Sequence, residues 1–313
     1  MLMIKYVSWA FVFQHQKIST TGAQMHGIIE RHIIRCDKKR MFNAGICKFY
    51  DGYIVCIRTG ECSAELKFLN PDFTLSAHGC EGTPGLTDPK IIDMGEGRYK
   101  LIGSWPLDGH EYMEISDFRA EKNKIEYLEN KKKLKTVLKY PNYKTQREKS
   151  WAPFYIENNL YFIYKKNPHE ILIYDKKLES VVYMPECNFD NSKLVIHGKE
   201  IRGNGNACCF DFNLMITTFH VKILNYYIVG YYTFESKYPF RPHSYCKKML
   251  IDSREYAAGG QRGPLIASNA SCVFPGGVID EGSSILMSLG VNDAENHFLK
   301  YDKNWLADNL TRF

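Results

Sequence analysis

The stretch Cys47-Lys-Phe-Tyr-Asp-Gly-Tyr-Ile-Val-Cys-Ile-Arg58 begins as a short alternating run, turns at Asp51-Gly52, and continues through aromatic and β-branched residues to an arginine. Asp-Gly supplies the left-handed backbone that a tight hairpin requires, so the stretch predicts two antiparallel strands. The pattern returns at residues 90–105, 153–165, 207–220 and 277–291, with turn centres near residues 52, 96, 159, 213 and 282. Residues 171–174 with 181–184, and 227–234, read as further strands.

Hairpins at intervals of about 45 to 70 residues fit a propeller with about four strands per blade. The expected fold class is therefore all-β, a five-bladed β-propeller; a β-sandwich with a small appendage is the alternative. No linker rich in Gly, Pro or Ser interrupts residues 1–313, so the chain reads as one domain. Its first 25 or so residues are expected to form an edge or blade-closing strand. The best helix candidate is 121–139, with Lys131-Lys132-Lys133; a solvated charged strand pair or a loop is the competing reading.

Of 313 residues, 44% are hydrophobic and 24% charged, which excludes a disordered or fibrous chain. No run approaches the roughly 20 apolar residues of a membrane helix. A net charge of +6 suits an anionic substrate but falls short of the dense basic stripes of a nucleic-acid binder. Aromatic residues, 14% of the chain, favour strands and also stack on sugar rings. Ten cysteines, at 36, 47, 56, 62, 80, 187, 208, 209, 246 and 272, include no CxxC pair. They read as free thiols of a reducing compartment, hence a cytoplasmic protein. The apolar start, residues 6–13, lacks the small-residue exit of a signal peptide. The sequons at Asn269 and Asn309 would matter only on secretion.

In a propeller the innermost strands converge on one axis, so polar residues at matching strand ends meet in space. Thr87-Asp88-Pro89-Lys90 precedes the second hairpin, and Pro89 pushes Asp88 out of helical geometry. Glu148-Lys149-Ser150-Trp151 precedes the third, and Arg202-Gly203-Asn204-Gly205-Asn206 the fourth, which ends at His220. Phe274-Pro275-Gly276-Gly277 opens the fifth, and Gly290-Val291-Asn292-Asp293-Ala294-Glu295 closes it. Each has a structural reading beside the chemical one: a turn at Asp88 or Asp293, a core indole at Trp151, a hydrogen-bonded core imidazole at His220. Serine-nucleophile, Walker, HExxH and DxD motifs are absent, so metal-independent chemistry is expected.

Taken in order, these motifs resemble those of glycoside hydrolase family 130, the inverting β-mannoside phosphorylases, across roughly residues 40 to 305. The matches are Arg58, Thr87-Asp88-Pro89-Lys90, Glu148-Lys149, Gly203-Asn204-Gly205, Phe219-His220, Val273-Phe274-Pro275-Gly276-Gly277 and Gly290-Val291-Asn292-Asp293. Thr87, Lys90 and Val221 depart from the family pattern. The wording around Trp151, Asn167-Pro168 and residues 288–295 resembles a divergent branch that includes a chlorovirus-type xylosyltransferase. That resemblance implies an inverting glycosyltransferase moving xylose or a hexose from a nucleotide sugar, such as a UDP-sugar, to a glycan or glycoprotein acceptor. A β-mannoside phosphorylase or hydrolase, and a non-catalytic glycan-binding propeller, are the alternatives. Asp88 is the expected proton-transfer group, with Asp293 as rival. Arg58, Lys149, Arg202 and His220 are expected to hold phosphate or diphosphate. Lys90, Trp105, Trp151, Asn292 and Glu295 are the expected sugar-binding residues.

Overall fold

The computed structural model describes residues 13–18, 27–36, 41–60, 63–83, 86–107, 110–133, 136–137, 149–196, 198–199, 201–257 and 271–313. The N-terminal apolar stretch up to residue 12, Cys62, Glu148 and Asn269 lie outside them.

The strands fall into five sheets. Near the N-terminus come β1 (Phe13–Ile18) and β2 (Ile28–Cys36). The next sheet is the meander β3 (Phe42–Phe49), β4 (Gly52–Arg58), β5 (Ala64–Leu69) and β6 (Leu75–Thr83). It is followed by β7 (Thr87–Asp93), β8 (Arg98–Leu107), β9 (His110–Glu121) and β10 (Lys124–Lys133). A short β11 (Thr136–Val137) then joins β12 (Ala152–Ile156), β13 (Asn159–Lys166), β14 (His169–Asp175) and β15 (Ser180–Phe189). The fourth sheet holds β16 (Arg202–Cys209), β17 (Leu214–Ile223), β18 (Tyr226–Glu235) and β19 (Pro242–Cys246), with β20 (Ile251–Asp252) alongside β18. After a one-turn helix α1 (Ser253–Tyr256) come β21 (Val273–Asp280), β22 (Ser284–Val291) and β23 (Glu295–Asp302). The chain ends in α2 (Lys303–Asp308) and β24 (Leu310–Arg312).

Every predicted hairpin forms. Four of the five turns use left-handed backbone, at Tyr50, Glu96, Glu157 with Asn158, and Gly282, while the fourth, near residue 213, closes without it through hydrogen bonds between Phe210, Asp211 and Leu214. Their first strands pack around a ring: β3 touches β7 and β21, β16 touches β12 and β21, and β12 touches β7. The result is an all-β, propeller-like array with apolar residues packed between neighbouring sheets. Among the described residues of 121–139 none is helical. Residues 124–133 are β10, the outermost strand of its sheet, where the exposed Lys124 and Glu126 are the kind of charged side chain that protects an open edge.

Two long-range pairings tie the chain ends together. β2 pairs with β23, so the sheet that carries β21–β23 is completed by the N-terminal strands. β24 pairs with β19 of the fourth sheet, and Tyr231 Oη donates to the Leu306 carbonyl over 2.6 Å. Among the described residues Cys47, Cys56, Cys187, Cys208, Cys209, Cys246 and Cys272 are free thiols. No helix among the described residues is long and apolar enough to cross a membrane.

Candidate functional site

The first strands of the sheets share one irregularity at the end where the motifs sit. In β3, Phe42 pairs with Arg58 and Gly45 with Cys56, so Asn43 and Ala44 bulge opposite Ile57. In β7, Thr87 pairs with Ser104 and Lys90 with Ile102, so Asp88 and Pro89 bulge opposite Gly103. Shifts of register follow Gly203 in β16 and Pro275 in β21, and Ser150 just before β12 has φ of 64°. A bulge bends its strand and re-aims a side chain, so this end of the ring presents side chains that a regular ladder would bury between sheets.

Asp88 is one of them. Its φ of 50° is left-handed, not the extended geometry expected before a proline, and the bulge imposes it. Asn43, itself left-handed at 52°, donates from Nδ2 to Asp88 Oδ1 over 3.0 Å. The Arg58 guanidinium lies 3.6 Å from the same oxygen and also donates from Nε to the Gly60 carbonyl. Oδ1 is thus held from two sides, and no described side chain hydrogen-bonds Oδ2. Arg58 belongs to Asp88 in this arrangement.

Behind Asp88 stand two buried lysines. Lys90 is 2% exposed and donates to the Asp88 carbonyl over 3.0 Å. Burial lowers its pKa to about 8 against the pull of Asp88. Lys166, 3% exposed, is pushed down to about 7 by burial and by Lys90. Its ammonium rests on Gly203, where a Cβ would stand 1.9 Å from Nζ. This close approach is what the glycine of Arg202-Gly203-Asn204 provides. Asn191 accepts no part in holding the ammonium; its amide donates to the Lys166 carbonyl over 3.0 Å.

His220 is buried between Tyr227, with ring centroids 5.4 Å apart, and Phe274 at 5.2 Å. Burial lowers its pKa to about 3, and Arg202, Lys166 and Lys149 push in the same direction. The imidazole is therefore neutral at physiological pH, with Arg202, Lys166 and Lys149 bearing on it. Tyr227 is pushed up to about 12 by burial, then by Cys272, Asp293 and Asp88, with Arg202 opposing. Burial, Asp293 and Asp88 likewise raise the Cys272 thiol. The two carboxylates predicted from distant motifs therefore act on one Tyr227–Cys272 pair.

Asp293 sits in the three-residue connection between β22 and β23, in a β-turn closed by Ala294 N donating to the Val291 carbonyl, where Asn292 and Asp293 have φ of 51° and 48°. Left-handed backbone at both central positions defines a type I′ turn, which fits the strand twist but strains an aspartate. The brace is Asn292, which is fully buried. Its Oδ1 accepts from the Cys272 amide at 3.0 Å, and its Nδ2 donates to the Ala257 carbonyl at 3.3 Å.

Three of the expected sugar-binding residues are placed otherwise. Trp151 is 1% exposed, with its indole edge-on to Phe162 and Tyr164, so it is a core residue and no stacking platform. Glu295 is 1% exposed and bonded at 2.7 Å to His297, whose other ring nitrogen meets Tyr256 Oη at 2.7 Å. Asn292 spends its amide on the turn. Trp105, half-buried on β8, stands opposite Tyr112 and one residue past Ser104, the partner of Thr87. Asp88, Arg58, Lys90, Lys149, Arg202, His220 and Asp293 share one end of the ring.

Sequence reasoning missed Asn43, Lys166, Tyr227 and Cys272. Asn43 had a signal: Phe42-Asn43-Ala44-Gly45 stands before the first hairpin as Asp88-Pro89 stands before the second. Lys166 had one too. In a strand, Lys165 and Lys166 face opposite sides, and Lys165 takes the open side, 3.5 Å from Glu170.

No family model matches the sequence, and no curated protein matches it significantly. Solved structures do match. The β-1,2-mannobiose phosphorylase of Listeria innocua aligns with 89% of this chain and 92% of its own, at TM-score 0.61 and 12% identity. MPT-4, a mannose phosphorylase from Leishmania mexicana solved with a phosphate ion, aligns over 88% of each chain at TM-score 0.51 and 10% identity. A structure from work on family 130 mannoside phosphorylases and hydrolases of β-1,2 mannosidic linkages aligns over 96% of each chain, at TM-score 0.56 and 12% identity.

The chain has the fold of glycoside hydrolase family 130.

That likeness corrects the nucleotide-sugar transferase expectation, since the family 130 neighbours are phosphorylases and glycoside hydrolases. The wording that favoured a transferase branch has a structural explanation. Trp151 fills the core, Asn167-Pro168 turns β13 into β14, and Asn292 braces a hairpin. These residues specify packing and turns, not a nucleotide.

Proposed function

We propose that this protein is an inverting β-mannoside phosphorylase, built as one domain of five blades closed on a common axis. The observation that carries the reading is that Arg202 stands opposite His220 across β16 and β17 and Lys166 Nζ rests on the adjoining Gly203, with Lys149 acting on the same imidazole, beside an Asp88 carboxyl that the described side chains hold through Oδ1. Cations gathered around a buried, neutral imidazole suit an inorganic phosphate.

In the proposed reaction a phosphate oxygen attacks the anomeric carbon from the face opposite the glycosidic oxygen. The new C–O bond forms as the glycosidic C–O bond breaks, and Asp88 Oδ2 relays a proton to the leaving oxygen, taking one in return from the attacking phosphate. The products are α-mannose 1-phosphate and the shortened glycan. Asn43 and Arg58 fix the carboxyl plane, Lys149, Lys166 and Arg202 orient and neutralise the phosphate, and Asp293 receives sugar hydroxyls. The phosphate-bound Leishmania neighbour and the mannobiose phosphorylase of Listeria support this choice of substrates. The free thiols support a reducing, cytoplasmic setting.

The test is incubation with β-1,2-mannobiose, with and without inorganic phosphate. Phosphate-dependent release of mannose 1-phosphate is expected. Free mannose at equal rates with and without phosphate would assign hydrolysis, and no turnover of any β-mannoside would remove the enzymatic reading.

A further inference from the structure

Strand β3 runs from the bulge at Asn43, in the candidate site, to its end at Phe49, about 20 Å away at the other end of the ring. A cleft of about 550 Å³ opens there, between the sheet of β3–β6 and that of β7–β10. Its walls include Phe49, Tyr50, Asp51, Asn70, Ser76 and Asn123.

Tyr50 is the outlier. It is 75% exposed, and its φ of 50° places a bulky aromatic residue in left-handed backbone, at a turn that glycine or asparagine fills without strain. Burial of its ring gives no compensation. Its neighbour Phe49 meets it edge-on at 4.6 Å and is anchored in turn by Phe68 at 5.0 Å, so the ring stands on a fixed base. Around it are short side chains that both donate and accept: Asn70, Ser76 and Asn123. The charged groups of the wall, Asp51 and Lys122, cancel in sign.

An aromatic face beside amides and a hydroxyl, without excess charge, matches the chemistry of an uncharged pyranose: C–H groups against the ring, hydroxyls to the polar rim. We infer that this cleft is a second saccharide-binding site, distinct from the candidate active site, that takes a neutral oligosaccharide with Tyr50 as its stacking platform. Its volume suits a short stretch of chain. A polymer could be held there while another part of it, or another chain, occupies the far end of the ring.

The experiment is native electrophoresis through gels containing mannan, xylan or glucan, followed by titration with the corresponding neutral hexasaccharides. The wild type is compared with Tyr50→Ala and with the double variant Asn70→Ala/Asn123→Ala. Retardation by at least one neutral polymer is expected. Both variants should bind its hexasaccharide about tenfold more weakly or worse. Turnover of a soluble disaccharide should be unchanged in both, because neither substitution reaches Asp88 or Lys166. If the phosphorylase reading fails, Tyr50-dependent binding still stands. If no neutral saccharide binding responds to Tyr50→Ala, or the response is confined to acidic polysaccharides, the inference is overturned.

Discussion

Asn43 Nδ2 donates to Asp88 Oδ1 across 3.0 Å, and both residues sit in left-handed backbone on adjacent strands. Two bulges thus face each other so that one side chain can hold the other. Asn43→Ala should lower kcat/KM for phosphorolysis about 10- to 100-fold by freeing the carboxyl, while costing about 1 kcal/mol of stability for the lost hydrogen bond. Asp88→Asn should cost on the order of 10²- to 10⁴-fold. Steady-state kinetics and urea unfolding of the two variants check this; an Asn43→Ala enzyme with full activity would show that Asp88 needs no such support.

Lys166 links the anion site to pH. Its pKa of about 7 in the folded protein lies below the ordinary 10.5, so between those values the unfolded chain binds more protons than the folded one. Stability of the phosphate-free protein should therefore rise with pH from about 7 towards 10, because deprotonation relieves the burial of charge. Phosphate affinity should move the other way and fall above pH 7 to 8, as Lys166 and then Lys90 lose their protons. Lys166→Met should raise the melting temperature at pH 6 more than at pH 10, and remove stabilisation by phosphate at both. A variant that melts lower than wild type at pH 6 and still responds to phosphate would contradict this.

Gly203→Ala probes the same contact from the opposite side. The added methyl would meet Lys166 Nζ at 1.9 Å and the Ser150 carbonyl at 2.8 Å, so the lysine must move. A loss of about 1–3 kcal/mol is expected from crowding, with the KM for phosphate raised more than that for the sugar. Equal effects on both constants would indicate general damage.

Ending the chain at residue 302 removes α2 and β24. Tyr231 then loses its acceptor at Leu306, and Lys248 loses two hydrogen bonds to Asn309, of 2.9 and 3.0 Å. The truncated protein should lose about 3 kcal/mol or more, read as a lower denaturant midpoint. The same two bonds, with the burial of Asn309, close the Asn309 sequon to modification in the folded protein.

The hairpins were legible because turn chemistry and strand patterning are local: Asp51-Gly52 needs no distant partner to be read. The bulges were half-legible. Asp88-Pro89 marks one, yet its left-handed φ depends on how Thr87 and Lys90 register against β8. Trp151 and Glu295 were misread because a side chain's facing is set by the neighbouring sheet, which the local sequence does not name. The lysines of 124–133 look helical by composition, and only the position of β10 at a sheet edge accounts for them.

The pairing of β2 with β23, and of β24 with β19, means that one edge of β2 and one edge of β19 stay uncovered until residues 295–302 and 310–312 have been made. During synthesis the ring must wait, open, for a strand that lies about 260 residues further along the chain than β2. Its nascent form thus exposes two unfinished sheet edges for longer than a sequentially closed protein of this length would.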